Sequence, residues 1–253
     1  MKQEQPVVVY EDKNILAINK PAGLLVHPTH NLLMCGIHHN ANSESVGEET
    51  LADWLLKKYP EVKGVGDSPE RPGIVHRLDK ETSGLMLAAK NQRAFDYLKN
   101  LFQSRRIKKT YLAWVFGEPK EKRGVIDKPI GLKAGTVKHT VYGGKMIKPA
   151  TTYYRVIKTE ETSEGKFSLL EVTPKTGRTH QIRVHLKSIG NPILGDKLYG
   201  SKNDRFSRLM LHSYSLEFQS PEGKALKVEV EPPNAFLKDK IEESIDKRIN
   251  KLH

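Results

Sequence analysis

The segment that most constrains this chain is a charged loop running directly into an apolar stretch, HRLDKETSGLMLAAK at residues 76–90. It places one carboxylate, Asp79, between Arg77 and Lys80, and a polar turn separates these charges from the apolar residues that begin at Leu85. Loops supported by a buried strand commonly carry reactive side chains at the edge of a cleft. The segment therefore predicts a carboxylate fixed beside a cleft, and the flanking cations favour its ionised form.

Two interpretations of Asp79 remain open at this point. A carboxylate in a shielded cleft acts as a nucleophile or a general base, whereas the same charged triplet also suits a structural ion pair with Arg77. Tyr111 leaves a similar choice, because it lies in a predicted strand, KKTYLAWV at residues 108–115. A strand tyrosine either packs in a core or stacks on the face of a planar ligand.

A third segment, TGRTHQIRVHLKSIGNPILGDKLYG at residues 176–200, predicts a helix near 179–189 that ends at Gly190. Helical geometry predicts one buried stripe and an adjacent cationic face on this helix. The stripe consists of Ile182, His185, Leu186 and Ile189, and the cationic face of His180, Arg183 and Lys187.

Composition narrows the class of protein. The chain has 253 residues and a formal net charge of +12, which favours polyanionic partners such as RNA, DNA or anionic lipid. Its sole cysteine, Cys35, excludes an intramolecular disulfide. Because we find neither a signal peptide nor an apolar run long enough for a membrane span, we expect a cytoplasmic protein with no membrane partner.

The remaining patterns predict short strands and few helices, hence an α+β fold with a largely antiparallel sheet. Strands are predicted at 7–10, 15–18 and 24–26, and again at 111–116, 151–157, 167–173, 215–218 and 225–230. Helices are predicted around 51–59, after the N-cap Asn91, and over 235–252. Residues 30–49 lack periodicity and predict a mobile loop.

These segments, with NKPAGLLVHP at residues 19–28 and RLMLHS at 208–213, resemble in their order the motifs of the RluA-type pseudouridine synthases. That family isomerises uridine in RNA. The resemblance implies a pseudouridine-synthase catalytic fold, a mixed and largely antiparallel central sheet flanked by helices and loops around an active-site cleft. It places a catalytic domain at 1–234. The resemblance does not cover residues 235–253, which the helical pattern over 235–252 makes a C-terminal helical extension. It also suggests the ribosomal large-subunit RluC/RluD-like branch without the N-terminal RNA-binding domain, since the first predicted strand begins near Val7.

The resemblance also implies roles for individual residues. It makes Asp79 the essential acid/base or nucleophile, Tyr111 the active-site tyrosine, and Arg183 the ion partner of Asp79, with Arg178 as the competing partner. The expected substrate-binding residues are His76, Arg77, Lys109, Arg178, His180 and Leu211. Further cations that suit RNA phosphates are Arg71, Arg105, Arg106, Lys108 and Lys187.

The family implies neither a metal nor an organic cofactor, and the histidines and cysteine at 27–39 do not form a convincing four-ligand site. We expect a monomer acting on RNA, with ribosomal RNA ranked ahead of tRNA. Two alternatives come from other functional classes. One is an RNA-binding protein with an inactive site, and the other is a nuclease or N-glycosylase.

Overall fold

The computed structural model of the protein describes residues 4–28, 49–162, 165–200 and 206–236. The loop predicted at 30–49 falls outside these ranges except for its last residue. The helix predicted over 235–252 also falls outside them, apart from a short 3₁₀ turn, Asn234–Phe236. The domain boundary placed at 234 therefore stays a prediction.

A nine-stranded sheet forms the centre of the fold, in the order β1-β2-β3-β11-β4-β10-β9-β5, with β12 beside β11. Its strands are β1 Val7–Glu11, β2 Ile15–Lys20, β3 Ser83–Ala89, β4 Lys108–Phe116, β5 Arg123–Asp127, β9 Thr151–Thr162, β10 Gly165–Pro174, β11 Leu211–Gln219 and β12 Ala225–Glu229. A small sheet contains β6 Ile130–Leu132, β7 His139–Thr140 and β8 Lys145–Lys148. Among the described strand pairs only β3 and β11 run parallel, which confirms the predicted α+β fold with a largely antiparallel sheet.

Strand β3 explains why the apolar run after Asp79 is continuous. Its two faces enter different hydrophobic clusters, with Leu85 and Leu87 on one side and Met86 and Ala88 on the other. Helix α2, Gln92–Gln103, covers the first side, and helix α1, Leu51–Lys58, covers the second. A strand buried on both faces has no polar side to alternate with, so the whole run is apolar.

Three predicted helices, α1, α2 and a helix over Gln181–Ser188, are confirmed. The Asn91 side chain accepts the Ala94 N–H at 3.0 Å and begins α2. Helix α3, Gln181–Ser188, packs Ile182 and Leu186 into the cluster formed with β4 and β10. The amphipathic arrangement predicted for α3 is wrong in one respect, because every residue from 181 to 186 is buried and Lys187 is exposed. Arg183 is 5% exposed, so its side chain contacts other residues of the same chain and does not form part of an open cationic surface.

Two predictions about strands are wrong. Residues 24–26 form no strand, because the carbonyls of Leu25 and Val26 accept the first N–H groups of α1, at 2.8 and 3.0 Å. Strands β5 to β8 were not predicted at all. Residues of β8 are exposed along its whole length, so the sequence there shows no alternation of buried and exposed side chains.

Candidate active site

Asp79 lies in the turn that precedes β3. The Thr82 N–H donates to the Asp79 carbonyl at 3.1 Å, and the chain then enters β3 beside β11. Gly84 allows this close approach, since it has φ +111° and a Cβ there would lie 2.3 Å from the Ser213 carbonyl oxygen. Glycine is therefore required at the point where the strand below Asp79 meets β11.

Lys20 supports the Asp79 turn from the protein interior. Its fully buried ammonium donates to the carbonyls of Pro21, Leu24 and Lys80 at 2.8, 2.9 and 3.1 Å. Burial lowers the pKa of Lys20 to about 7. These three bonds tie the strand-end motif at residues 19–24 to the residue that follows Asp79.

Arg183 joins two carboxylates. Its Nη1 donates to Asp79 Oδ2 at 3.2 Å, while Nε and Nη2 each donate to the Asp196 carboxylate at 2.8 Å. Burial alone would lower the pKa of Arg183, but the hydrogen bond and charge of Asp196 and the charge of Asp79 raise it overall. The guanidinium is therefore a permanent cation held by Asp196 and aimed at Asp79.

The structure places Arg183, and not Arg178, against Asp79. Arg178 is half-buried, and its Nε donates to the Pro149 carbonyl at 3.1 Å. His180 is the second neighbour of Asp79, with Nε2 lying 3.8 Å from Asp79 Oδ2. It directly precedes α3 in a left-handed conformation, φ +55°.

Tyr111 and Leu211 lie on adjacent central strands. In the register of β4 and β11, Tyr111 is opposite Ser213, and Leu211 is buried at 4% exposure. Burial raises the pKa of the Tyr111 phenol to about 12. The charge of Asp79 also raises this pKa, whereas the hydrogen bond with the Ser213 hydroxyl lowers it. Tyr111 is consequently a neutral phenol throughout the physiological pH range.

His76 already has a bond within the protein. Its Nε2 accepts the Leu87 N–H at 2.9 Å, and its ring stacks on Phe102 with 4.2 Å between centroids. Burial, followed by the charge of Lys109, lowers the pKa of His76 to about 3. His76 is thus neutral and supports the cleft wall next to β3.

One cleft of about 620 Å³ brings together every site residue expected from the sequence. Its lining includes Asp79, Tyr111, Arg183, His76, Arg77, Lys109, Arg178, His180 and Leu211. The lining contains five cations that form no ion pair with a carboxylate of the described residues. Their charge makes the cleft attractive to anions. The five cations are Arg77, Arg105, Lys109, Lys175 and Arg178.

Other expected phosphate contacts lie elsewhere. Lys108 pairs with Glu217 at 2.8 Å, and Arg106 donates to the Asn100 side chain. Neither residue lines the cleft, so the basic run at 104–109 is divided between the cleft and an outer surface.

Sequence reasoning gave no role to Asp196, Tyr199 or Lys20. Asp196 and Tyr199 lie in the short stretch GDKLYG, directly after the buried Ile193 and Leu194. An aspartate beside two buried apolar residues indicates a buried cation partner, and that signal could have found Asp196.

In the described part of the chain, no three His, Cys, Asp or Glu side chains are grouped closely enough to hold a metal ion. His30, Cys35, His38 and His39 lie outside the described residues. None of the described helices has the length and apolarity needed to cross a membrane.

The family model described as RNA pseudouridylate synthase matches residues 14–188, which include Asp79, Tyr111 and Arg183. The chain belongs to the RluA-type RNA pseudouridine synthases. It is 37% identical over 233 residues to "Ribosomal large subunit pseudouridine synthase D" of Borreliella burgdorferi, covering 91% of this chain and 66% of that protein. It is also 37% identical to "Dual-specificity RNA pseudouridine synthase RluA" of Vibrio parahaemolyticus, covering 87% of this chain and 80% of that protein.

A solved structure agrees with this membership and with the pseudouridine-synthase fold. "Human RNA Pseudouridylate Synthase Domain Containing 1" matches with a TM-score of 0.72 and 26% identity, covering 95% of this chain and 89% of that chain. The chain spans 58–64% of the length of several other curated relatives, so it corresponds to part of those proteins.

Proposed function

We propose that this RluA-type chain converts uridine to pseudouridine in RNA at the cleft around Asp79. One observation carries the proposal: Asp79 is paired with the buried Arg183 inside a cleft that also contains Tyr111 and cations without an ion partner among the described residues. A binding surface alone has no need of a carboxylate held by a buried arginine, whereas a reaction on a nucleotide does.

The cleft suits a nucleotide taken out of a stack. Its volume of about 620 Å³ exceeds that of a base and leaves room for the sugar. Extrusion of a base costs a few kcal/mol, and contacts of cations such as Arg105 and Lys109 with phosphates offset that cost. Tyr111 then stacks on the flipped uracil, and Leu211 provides an apolar wall beside it.

Pseudouridine formation breaks the bond between uracil N1 and ribose C1′, turns the base, and rejoins it through C5 with loss of the C5 proton. Asp79 serves as the nucleophile or the acid/base group, and Arg183 keeps it ionised and oriented. Tyr111 covers the base as a neutral phenol, because burial raises its pKa to about 12. We propose that its hydroxyl assists removal of the C5 proton as a relay, taking that proton while its own hydrogen passes to a carboxylate or to water.

Large-subunit ribosomal RNA is our proposed substrate, and tRNA is the second candidate. The Borreliella burgdorferi relative is named as a ribosomal large subunit synthase, and the Vibrio parahaemolyticus relative as a dual-specificity RNA synthase. We further propose that the protein acts in the cytoplasm as a monomer.

Tritium release tests the reaction and the substrate class together. Unmodified ribosomal RNA and tRNA, each labelled at uracil C5, are incubated separately with the protein and with Asp79→Asn. We expect tritium release from ribosomal RNA that is absent with Asp79→Asn. Release from tRNA alone would reassign the substrate, and binding without release from either RNA would favour an inactive RNA-binding protein.

A further inference from the structure

The hydroxyl of Tyr199 lies between two histidines beside the candidate active site. The backbone N–H of His139 donates to this hydroxyl oxygen at 2.8 Å, and His180 Nδ1 lies 2.9 Å from it. Tyr199 is 4% exposed, so bulk water does not compete for these bonds. The roles assigned above leave this chain of hydrogen bonds unused.

The number of hydrogens available decides which group donates in each hydrogen bond of Tyr199. The Tyr199 oxygen already accepts the His139 N–H, so its own hydrogen needs an acceptor. Among the described residues, His180 Nδ1 is the acceptor within reach. If His180 Nδ1 carried a proton instead, the oxygen would face two donors and the buried hydroxyl hydrogen would be unsatisfied. The phenol therefore donates to His180 Nδ1.

This direction decides what His180 presents to Asp79. A neutral imidazole that accepts at Nδ1 carries its proton on Nε2, and Nε2 lies 3.8 Å from Asp79 Oδ2. Arg183 Nη1 approaches the same oxygen at 3.2 Å. Asp79 Oδ1 accepts no hydrogen bond from any described residue. Asp79 Oδ2 therefore accepts one hydrogen bond, from Arg183, and faces the His180 Nε2–H at the longer distance of 3.8 Å, while Oδ1 stays open to react.

The surroundings of Tyr199 hold this arrangement rigidly. The Arg183 guanidinium lies 5.1 Å from the centre of the Tyr199 ring, and the Tyr199 N–H donates to Asp196 Oδ1 at 3.0 Å. The His139 ring packs edge-on against His180 with 5.5 Å between centroids. His180 is kept at φ +55°, a conformation that non-glycine residues rarely adopt without support.

The charge state of His180 agrees with this geometry. Burial lowers the pKa of His180, and the charges of Arg183 and His139 lower it further. The charge of Asp79 raises this pKa but does not outweigh the other effects. A neutral ring has one proton to place, and the Tyr199 hydroxyl determines which nitrogen takes it.

We propose that Tyr199 is a positioning residue that holds His180 as the Nε2–H tautomer, so that the His180 N–H and the Arg183 guanidinium both lie on the Oδ2 side of Asp79 and leave Oδ1 to react. The proposal rests on the proposed function for its consequence in catalysis. The tautomer itself is a property of the free protein and does not depend on any substrate.

The tautomer is measured first, by ¹⁵N NMR of the histidine side chains, with His180→Gln used to assign the signal. We expect the Nε2–H form of His180 in the unaltered protein and a mixture of tautomers in Tyr199→Phe, which keeps the ring against Arg183. Tyr97→Phe is the matched control, because its hydroxyl bonds to Gln219 on another surface. A His180 that is Nδ1–H or doubly protonated in the unaltered protein overturns the proposal.

A double-substitution cycle tests the consequence. Removing one neutral hydrogen bond changes a rate by about tenfold, so we expect Tyr199→Phe to lower single-turnover pseudouridine formation by about that factor. RNA affinity should be unchanged, since the hydroxyl is buried and its bonds lie within the protein. Glutamine at position 180 keeps an N–H donor but has no tautomers. In a His180→Gln background Tyr199→Phe should therefore have no further effect, and an equal loss in both backgrounds overturns the proposal.

The two measurements separate this proposal from the proposed function. If the protein forms no pseudouridine but the His180 tautomer depends on Tyr199, the proposed function fails while the positioning of His180 stands. If pseudouridine forms and the tautomer is the same in Tyr199→Phe as in the unaltered protein, the positioning role fails alone.

Discussion

The two walls of the cleft are built in opposite ways. Behind Asp79, the buried Arg183 and Asp196 are joined by two hydrogen bonds of 2.8 Å, and Arg183 donates to Asp79 at 3.2 Å. On the facing strands, Tyr111 and Leu211 are placed mainly by packing and strand register. The first wall fixes a charge in space, and the second offers a surface for a planar base. Substitutions on the first wall should therefore change the rate more than binding, and cleft cations should do the reverse.

The largest effect is expected for Asp79→Asn. The substitution keeps the shape but removes the charge that Arg183 holds, and loss of an acid/base group lowers a rate by about 100-fold to 10,000-fold. We expect pseudouridine formation to fall below detection while RNA affinity, measured by filter binding, is unchanged. Substantial turnover by this variant would remove Asp79 from the mechanism.

Tyr111→Phe should have the next largest effect. It keeps the aromatic face but loses the phenol hydroxyl, so RNA binding should be unchanged and product formation should slow by about 100-fold. Single-turnover kinetics with quantified RNA affinity measures both. Full activity would show that the hydroxyl is dispensable and that Tyr111 acts through stacking alone.

Asp196→Asn tests the support behind Arg183. The substitution leaves the buried guanidinium with one carboxylate in place of two. We therefore expect the rate of pseudouridine formation to fall about tenfold and the free energy of unfolding to fall by about 3 kcal/mol. Denaturant unfolding and single-turnover rates measure these effects. Asp67→Asn is the matched control, since it removes an exposed pair with Lys99 at 2.8 Å. Equal losses in both variants would contradict a specific role for Asp196.

Lys109→Gln should weaken RNA binding more than it lowers the rate of pseudouridine formation in the bound complex. Lys109 lines the cleft without an ion partner among the described residues, and one phosphate contact contributes about one unit to the salt dependence of binding. Its neighbour Lys108 is paired with Glu217 outside the cleft, so Lys108→Gln is a close control. Identical salt slopes for the two variants would exclude Lys109 from phosphate contact.

The last prediction concerns stability at acidic pH, not activity. His212 follows Leu211 on β11, accepts from the Ser83 hydroxyl at 2.8 Å, and is fully buried. Burial, with the charge of Arg208, lowers its pKa to about 4, although its bond to the Val230 carbonyl opposes this shift. As the pH falls from 6.5 to 4, the unfolded chain takes up a proton at this histidine and the folded protein does not. The unfolding free energy should then fall by about 1.4 kcal/mol per pH unit from this residue. Urea unfolding of His212→Gln should lack that contribution, and an unchanged slope would contradict it.

Much of this fold was predictable because its central strands and helices have strong local patterns. The apolar run after Asp79 and the Asn91 cap predicted β3 and α2 at nearly their observed bounds. By contrast, β5 and β8 are largely exposed, and β6 and β7 are only three and two residues long, so no burial pattern marks these strands in the sequence. Residues 24–26 were assigned to a strand because they are apolar, but the carbonyls of Leu25 and Val26 accept N–H groups of α1.

The candidate site, like the fold, was predictable only in part. Motif resemblance brought Asp79, Tyr111 and Arg183 together, and the structure places all three in one cleft. It could not show that Asp196 holds Arg183, because that contact depends on the turn after α3 folding back onto the helix. Nor does spacing reveal that His180 adopts a left-handed backbone beside Asp79, since its strain is maintained by tertiary contacts.

The central claim is most directly tested by the chemical fate of the uridine. Unmodified large-subunit ribosomal RNA is incubated with substoichiometric protein, digested to nucleosides and quantified by mass spectrometry, with RNA length and free uracil measured in parallel. The account predicts several pseudouridines per protein molecule, intact RNA, no free uracil, and no product with Asp79→Asn. Free uracil or shortened RNA, or equal product from Asp79→Asn, would contradict it.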